Sequence, residues 1–478
     1  MSSATALVLD LDGTLSRTDT LWESLLRLFA AKPWMIFAAI FAVSRGRAGF
    51  KRWLAGLQSI DPGTLVYDEA VLSLARDAHA AGRAVWLVSG ADQSIVDAVI
   101  GHFGFFAGGK GSDGTTNLTR AHKAAFLVQK FGARGFEYAG DSRADFAVWA
   151  QASRGYVVAR SANLLRGALK LQPDMVMVGT RDGVITQARV LIKALRVHQW
   201  AKNALLFVPA LAGHRLGHGT LIACVIGFVS FSLTASSVYL LNDLLDLPHD
   251  RAHARKRSRP LASGQLPLSS APFLIVVLLA GGFALSLLLP VRFLLMLGAY
   301  YITTLAYSMR LKRLMVWDVM TLAGLYTIRI FAGAAAIKGS VSPWLMAFSL
   351  FLFFCLAVIK RLTELKTHAR AGREDKISGR GYLPEDVDML RAMATSCGYL
   401  SVMVLVLYMN SAEVVALYHR PKALWLLCPL MMFWISRVLM LAQRGEMHDD
   451  PVVFALRDRG SLAVGVASLV VIGLGMWS

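Results

Sequence analysis

Apolar positions are distributed unevenly along this chain. In the second half they form runs near 199–213, 219–243, 272–289, 291–309, 316–337, 343–360, 392–410, 423–441 and 461–477. A bilayer-spanning helix needs about 17–25 such residues. Nine spanning helices are therefore expected, the short first run beginning earlier, inside "LIKALRVHQWAKN". The first half has a different rhythm. Short apolar stretches end in polar residues: "LVLDLDGTL" (7–15), "RAVWLVSGA" (83–91) and "FEYAGDSRAD" (136–145). Between them lie helical patterns such as "DEAVLSLARDAHAAG" (68–82), closed by Gly82. Alternating strands and helices predict a parallel, doubly wound sheet. The expected fold class is thus two domains: an N-terminal α/β domain over 1–185, with a helical cap at about 16–82, and a C-terminal all-α membrane domain over 186–478. Residues 166–190 read as a tether.

Composition supports this division. Of the 478 residues 55% are hydrophobic and 17% charged, whereas about a quarter are charged in ordinary soluble proteins. Residues 1–190 carry a net charge of +5 and residues 191–478 a net charge of +14. Loops 244–271, 310–315, 361–391 and 442–460 hold 18 Lys/Arg, and the alternate loops hold 4. Cytoplasmic loops are the basic ones. This predicts a multi-pass plasma-membrane protein with the N-terminal domain in the cytoplasm and the carboxyl terminus outside. It also accounts for the basic charge without nucleic acid. The opening "MSSATALVLDLDGT" lacks the basic region of a signal peptide. Cys224, Cys355, Cys397 and Cys428 lie in apolar runs with no metal or disulfide spacing, and membrane-core packing is expected for them.

Asn242, Asp243, Asp246 and Asp250 follow one apolar run as N-D-x-x-D-x-x-x-D. On a continuous helix the three carboxylates share a face. Ionisable groups at a membrane helix mouth mark functional sites. Clustered carboxylates suit Mg²⁺, which bridges one or two of them to substrate phosphates. Arg251, Arg255, Lys256, Arg257 and Arg259 follow and can hold phosphate oxygens. The stretch resembles the first aspartate-rich motif of the UbiA prenyltransferase superfamily, over about 190–478. Within it the resemblance is to decaprenyl-phosphate phosphoribosyltransferases, through "LRVHQWAKN" (195–203), "NDLLDLPHDRAHARKRSRPLASG" (242–264), "YSMRLKRLMVWDVMTLAGLYTIRIFAGA" (307–334), "KRLTEL" (360–365) and "DPVVFALRDR" (450–459). That resemblance implies Mg²⁺, a diphosphate donor, metal ligation by Asn242, Asp243, Asp246 and Asp250, and catalysis at the three aspartates. One departure stands out: the region of the superfamily's second aspartate-rich motif holds Asp318 alone. A phosphoribosyl diphosphate donor, held by one further acid and by Arg310, Lys312, Arg329, Lys360 and Arg361, fits better than a prenyl diphosphate. Arg329, inside a span, is expected to act in function or to pair with Asp318. Lys202 is a candidate for the phosphate of a polyprenyl phosphate acceptor, and Trp200 reads equally as an interfacial aromatic.

In the first half, Asp10 can attack phosphorus as a carboxylate nucleophile. Asp12 can act as general acid and base. Ser89 can bind a phosphate oxygen, Lys123 can offset charge, and Asp141 with Asp145 can hold Mg²⁺ alongside Asp10 and Asp12. The set "DLDGT", "VSG", Lys123 and "GDSRAD" resembles the haloacid dehalogenase (HAD) phosphatases over about 5–165. "PWMIFAAIFAV" (33–43) is too short to span. It reads as a cap-core helix, with a membrane-resting edge as the alternative.

Together these readings give an expected bifunctional enzyme. Its membrane domain transfers 5-phosphoribose from phosphoribosyl diphosphate to polyprenyl phosphate, and its HAD-like domain removes the 5-phosphate. A prenyltransferase acting on an aromatic acceptor, with an attached phosphatase, is the alternative; a transporter is a third class. Homo-oligomerisation stays open.

Overall fold

The computed structural model describes residues 5–32, 34–44, 46–158, 162–179, 184–370, 380–447 and 450–476. Residues 180–183 of the expected tether, 371–379 and 448–449 of two basic loops, and Pro33 of the cap segment lie outside them. The chain folds as two compact units. One comprises the residues up to Leu195 together with Tyr239–Ile275; the other comprises Arg196–Val238 and Val276–Ser478.

In the first unit six parallel strands, β1 (Ala6–Leu9), β2 (Val85–Asp92), β3 (Gly108–Ser112), β4 (Phe136–Gly140), β5 (Arg154–Val157) and β6 (Val176–Met177), stand in the order β3-β2-β1-β4-β5-β6. β1 is Ala-Leu-Val-Leu, buried on both faces, as central parallel strands are. The strand order reverses between β1 and β4, and the crevice of a doubly wound sheet opens at such a switch point, beyond the carboxyl ends of the strands. Helix Glu69–Ala80 packs Val71, Leu72, Ala75 and Ala78 into the sheet's core. Three helices form an insert between β1 and that helix: Thr20–Ala31, Met35–Val43 and Gly46–Leu57. Asp19 caps the first, its carboxylate accepting from the Leu21 amide at 2.8 Å.

The segment Met35–Val43 is not a cap-core helix. Among its described side chains Ala39 and Ala42 are buried, while Phe37, Ile40, Phe41 and Val43, and Trp34 just before it, are exposed. The small side chains pack inward and the large ones point outward.

The second unit is helical. Among the described residues, six helices are long and apolar enough to cross a membrane: His218–Leu245, Trp317–Ala336, Pro343–His368, Pro384–Met409, Pro421–Arg444 and Arg459–Met476. The other three expected spans differ. Ser270–Ser286 is shorter, Val291–Met309 is a 19-residue helix outside that group, and the first is no continuous α-helix. Residues Val197–Phe207 form a 3-10 stretch that becomes α-helical only over Val208–Ala212. Pro209 stands in the first turn of that short helix, where its missing N–H costs no ladder bond. The stretch lies against helix Trp317–Ala336 at Gly333, where a Cβ would stand 2.1 Å from the Leu206 carbonyl oxygen. That helix is almost wholly buried. With Pro343–Arg370, Val387–Met409 and Leu427–Arg444 it encloses the main apolar core. The four cysteines are free thiols, and Cys224, Cys355 and Cys428 are buried.

Candidate active sites

The crevice between β1 and β4 gathers most of the acids expected there. Asp10 follows β1 directly and Asp141 follows β4, while Ser89 lies within β2. The Lys123 ammonium is 2.8 Å from the Asp10 carboxylate and 3.7 Å from that of Asp145. It donates to the Tyr138 hydroxyl at 2.9 Å, which in turn donates to Asp145 at 2.8 Å. The other Asp145 oxygen accepts from the Ser142 amide at 3.0 Å and the Ser142 hydroxyl at 2.9 Å. Ligand atoms of Asp10, Asp141 and Asp145 lie within 4.8 Å of one another. Three carboxylates with one lysine carry a net negative charge, and such a hard-oxygen donor set suits Mg²⁺. Asp12 is not part of this trio. Its carboxylate accepts from the Thr20 amide at 2.7 Å, at the start of the first cap helix.

Burial and the neighbouring Asp19 charge push the Asp12 carboxyl up to about 7, which suits a group that gives and takes a proton near neutrality. Burial also raises Asp10, against the pull of Lys123. Burial would depress Lys123, but Asp10 and Asp145 hold its pKa above the ordinary lysine value. These residues line a cavity of about 340 Å³ that includes Asp10, Asp12, Ser89, Lys123, Asp141 and Asp145. Pro267, Leu268 and Ser269 form part of its wall.

Gly13, at φ +78°, makes the turn after β1, and a Cβ there would stand 2.1 Å from the Asp141 carboxylate. On a phosphatase reading of this crevice, Gly13→Ala is expected to abolish hydrolysis of a small phosphate ester, because both the backbone and Asp141 would have to move. A circular dichroism spectrum matching wild type separates this from misfolding; wild-type turnover would contradict it.

The aspartate segment also belongs to the first unit. The expected shared helical face is broken: the helix ends at Leu245, Asp246 takes a non-helical conformation, and a second helix runs Leu247–Ala252. Pro248 near its start explains the interruption. Asp243 and Asp250 are buried and still converge, because Arg259 reaches Asp243 at 3.0 Å and Asp250 at 2.5 Å. The predicted phosphate ligand Arg259 thus neutralises the acids. Asp246 and Asn242 are half-buried, and the Asn242 carbonyl accepts from the Asp246 amide. Among the described residues the three aspartates do not gather as tightly as the trio at β1 and β4, but a buried carboxylate pair is a hard-oxygen donor set that would suit Mg²⁺. Arg255 and Lys256 are exposed. Arg251 is not exposed: its guanidinium meets Glu23 of the first cap helix at 2.5 and 3.1 Å and the Thr64 carbonyl at 3.1 Å. Glu23 is fully buried.

A polar network runs through the second unit. Lys202 and Lys360 reach the same Asp450 oxygen at 2.8 and 2.9 Å, and the Tyr326 hydroxyl donates to Asp450 at 2.9 Å. Arg329 does not pair with Asp318. It donates to Asn203 at 2.8 Å, to the Leu325 carbonyl, and to the Tyr300 hydroxyl at 3.3 Å. Arg361 is the partner of Asp318, with Tyr307 and Arg380 donating to the same carboxylate at 2.8 and 3.3 Å. Arg361 also pairs with Glu364. Both Asp318 oxygens are thus engaged by cations or by Tyr307. Arg310 is exposed and Lys312 half-exposed, beyond the end of helix Val291–Met309. Asp450, Tyr326, Asn203, Tyr307 and Arg380 were not anticipated as site residues. Asp450 had a visible signal: it opens "DPVVFALRDR", an acid before a proline at the mouth of an apolar segment.

Removing one partner of a buried ion pair costs about 3–5 kcal/mol. Asp318→Asn is accordingly expected to lower the thermal midpoint of the detergent-solubilised protein markedly. An unchanged midpoint would mean that Arg361 finds equal support from Glu364 alone.

The apolar helical unit thus carries buried cations paired with acids. The model of the UbiA prenyltransferase family matches residues 204–458, more than half of the chain. This protein belongs to that family and is an integral membrane transferase. It is similar along 98% of its length to the uncharacterized protein y4nM of Sinorhizobium fredii, with 38% identity over 91% of that chain. Nodulation protein NoeC of Azorhizobium caulinodans is 35% identical over 56% of this chain and 88% of its own. Decaprenyl-phosphate phosphoribosyltransferase of Mycolicibacterium smegmatis is 29% identical over 60% of this chain and 92% of its own.

Proposed function

We propose that this protein is a bifunctional enzyme of the cytoplasmic membrane. Its UbiA-type part, which includes the aspartate segment 242–250, transfers 5-phosphoribose from phosphoribosyl diphosphate to a polyprenyl phosphate such as decaprenyl phosphate. Its α/β domain, of HAD type, removes the 5-phosphate to leave polyprenylphosphoryl ribose. The observation that carries the reading is the placement of two acid sites in one compact unit: the Asp10, Asp141 and Asp145 trio with Lys123, and the Asp243–Arg259–Asp250 cluster. The resemblance to a named phosphoribosyltransferase supports the donor.

In the transfer step the bond between ribose C1 and the diphosphate breaks, and a lipid phosphate oxygen takes its place. Asp243 and Asp250, with Asp246 beside them, would hold Mg²⁺, which would neutralise charge on the departing diphosphate. Lys202 and Lys360, paired with Asp450 within the second unit, are proposed separately as cations for a lipid phosphate. In the hydrolytic step Asp10 attacks the 5-phosphate and Asp12 protonates the leaving ribose oxygen. Asp12 then takes a proton from the water that releases phosphate from Asp10. Lys123 and Ser89 hold phosphate oxygens. Mg²⁺ on the trio would supply further positive charge.

Nine spans, with the α/β domain in the cytoplasm and the carboxyl terminus outside, complete the proposal. A prenyl diphosphate donor with an aromatic acceptor is the other reading, and the engagement of Asp318 by Arg361 counts against it. Purified protein given radiolabelled phosphoribosyl diphosphate and polyprenyl phosphate should label the lipid. Faster prenylation of 4-hydroxybenzoate from a prenyl diphosphate would establish the other reading.

A further inference from the structure

The helix Met35–Val43 inverts the ordinary rule for a soluble domain. Its alanines at 39 and 42 are buried, and Trp34, Phe37, Ile40, Phe41 and Val43 are between 60% and 79% exposed. Five large apolar side chains on so short a segment form a contiguous patch of the kind that marks an interaction surface. The helix packs on its neighbours Thr20–Ala31 and Gly46–Leu57 through small side chains, so the outward face is not a by-product of loose packing. Nine helical residues span about 14 Å, against a bilayer core of about 30 Å; the helix can lie in an interface but cannot cross it. Exposed cations flank it, Lys32 before and Arg47 and Arg52 after. An apolar face with basic edges matches the boundary between acyl chains and anionic headgroups. The same chain carries six helices able to span a membrane, so a bilayer is always at hand.

We infer that Met35–Val43 is an interfacial anchor: its large side chains enter the headgroup region of a bilayer containing anionic lipid and seat the cap of the α/β domain there. The next helix, Gly46–Leu57, connects this anchor to the chemistry. Its Arg47, Phe50, Lys51 and Leu54 line a cavity of about 440 Å³ together with Asp12 and Arg120. The lining carries three cations, Arg47, Lys51 and Arg120, beside three acids, Asp12, Asp19 and Asp92; the cations would receive the phosphate of a headgroup whose acyl or prenyl tail stays in the membrane. This last step rests on the proposed function; the anchor itself does not.

The test uses the wild-type full-length protein in liposomes, with and without phosphatidylglycerol, and a bilayer-confined carbene precursor. After photolysis and digestion, mass spectrometry reads label per peptide. Residues 34–43 are expected to carry label at the density of Arg459–Met476, rising with anionic lipid, while Glu69–Ala80 stays unlabelled. Phe37→Glu with Phe41→Glu should remove label from this segment alone and leave hydrolysis of a small soluble phosphate ester unchanged. Wild-type labelling no higher than on Glu69–Ala80, whether a second copy or water covers the face, overturns the inference. Normal labelling without lipid phosphoribosylation would leave the anchor standing and sink the proposed function instead.

Discussion

Asp10→Asn should make lipid carrying phosphoribose accumulate and lipid carrying ribose disappear. Asp10 stands directly after β1, 2.8 Å from Lys123 and within the carboxylate trio. Asparagine matches its volume, so the turn at Gly13 and the packing of Leu9 and Leu11 are preserved. In the proposed mechanism the nucleophile is lost nonetheless, and removal of a nucleophile lowers turnover by about 10,000-fold or more. The transfer chemistry uses different residues and should survive. Wild type should show the reverse pattern, with released inorganic phosphate equal to ribosylated lipid. Mass spectrometry of extracted lipids reads both species. Identical lipids from wild type and variant would assign the hydrolase another substrate and leave only the transferase.

Asp250→Asn should produce the converse defect. Asp243 and Asp250 are the two buried carboxylates that meet at Arg259. With one acid neutralised, Arg259 keeps a single partner and Mg²⁺ on the diphosphate loses a ligand. Removing one such electrostatic contact at a reacting group costs about 100-fold or more. Lipid phosphoribosylation should fall by at least that factor, while hydrolysis of a small phosphate ester persists. Asp246→Asn is expected to act in the same direction. Transfer at the wild-type rate in both variants would remove the aspartates from the mechanism.

Much of this organisation was legible in the sequence because it is local. Four consecutive apolar residues before Asp10 announce a buried strand, and long apolar runs announce helices. The trio at β1 and β4 followed from one rule, that ligands sit beyond strand ends, applied to two short motifs. What was not legible depends on contacts distant along the chain. Nothing near Arg329 tells that it meets Asn203 and Tyr300 while Asp318 turns to Arg361; all three basic and acidic groups lie in similar apolar surroundings. The break at Asp246 could have been read from Pro248, but helical spacing of the aspartates is the stronger pattern and it misled. The outward face of Met35–Val43 was hidden for another reason. Apolar composition alone says that a helix avoids water, not whether protein or lipid is the medium it prefers.

The bond between Arg251 and Glu23 bears on how such a chain can be inherited. The two residues lie in different halves of the reading frame, yet Glu23 is fully buried and Arg251 is its charge partner. A break in the gene after Leu195 would give one product with an acid lacking its base and a reaction cavity lacking the wall of Pro267, Leu268 and Ser269. The other product would carry the matching arginine with no acid to receive it. Shuffling the first half onto a different membrane partner would meet the same mismatch unless that partner's loop carried an arginine at the corresponding place. Within this chain, a change at Glu23 is therefore constrained by Arg251, and the two segments diverge together.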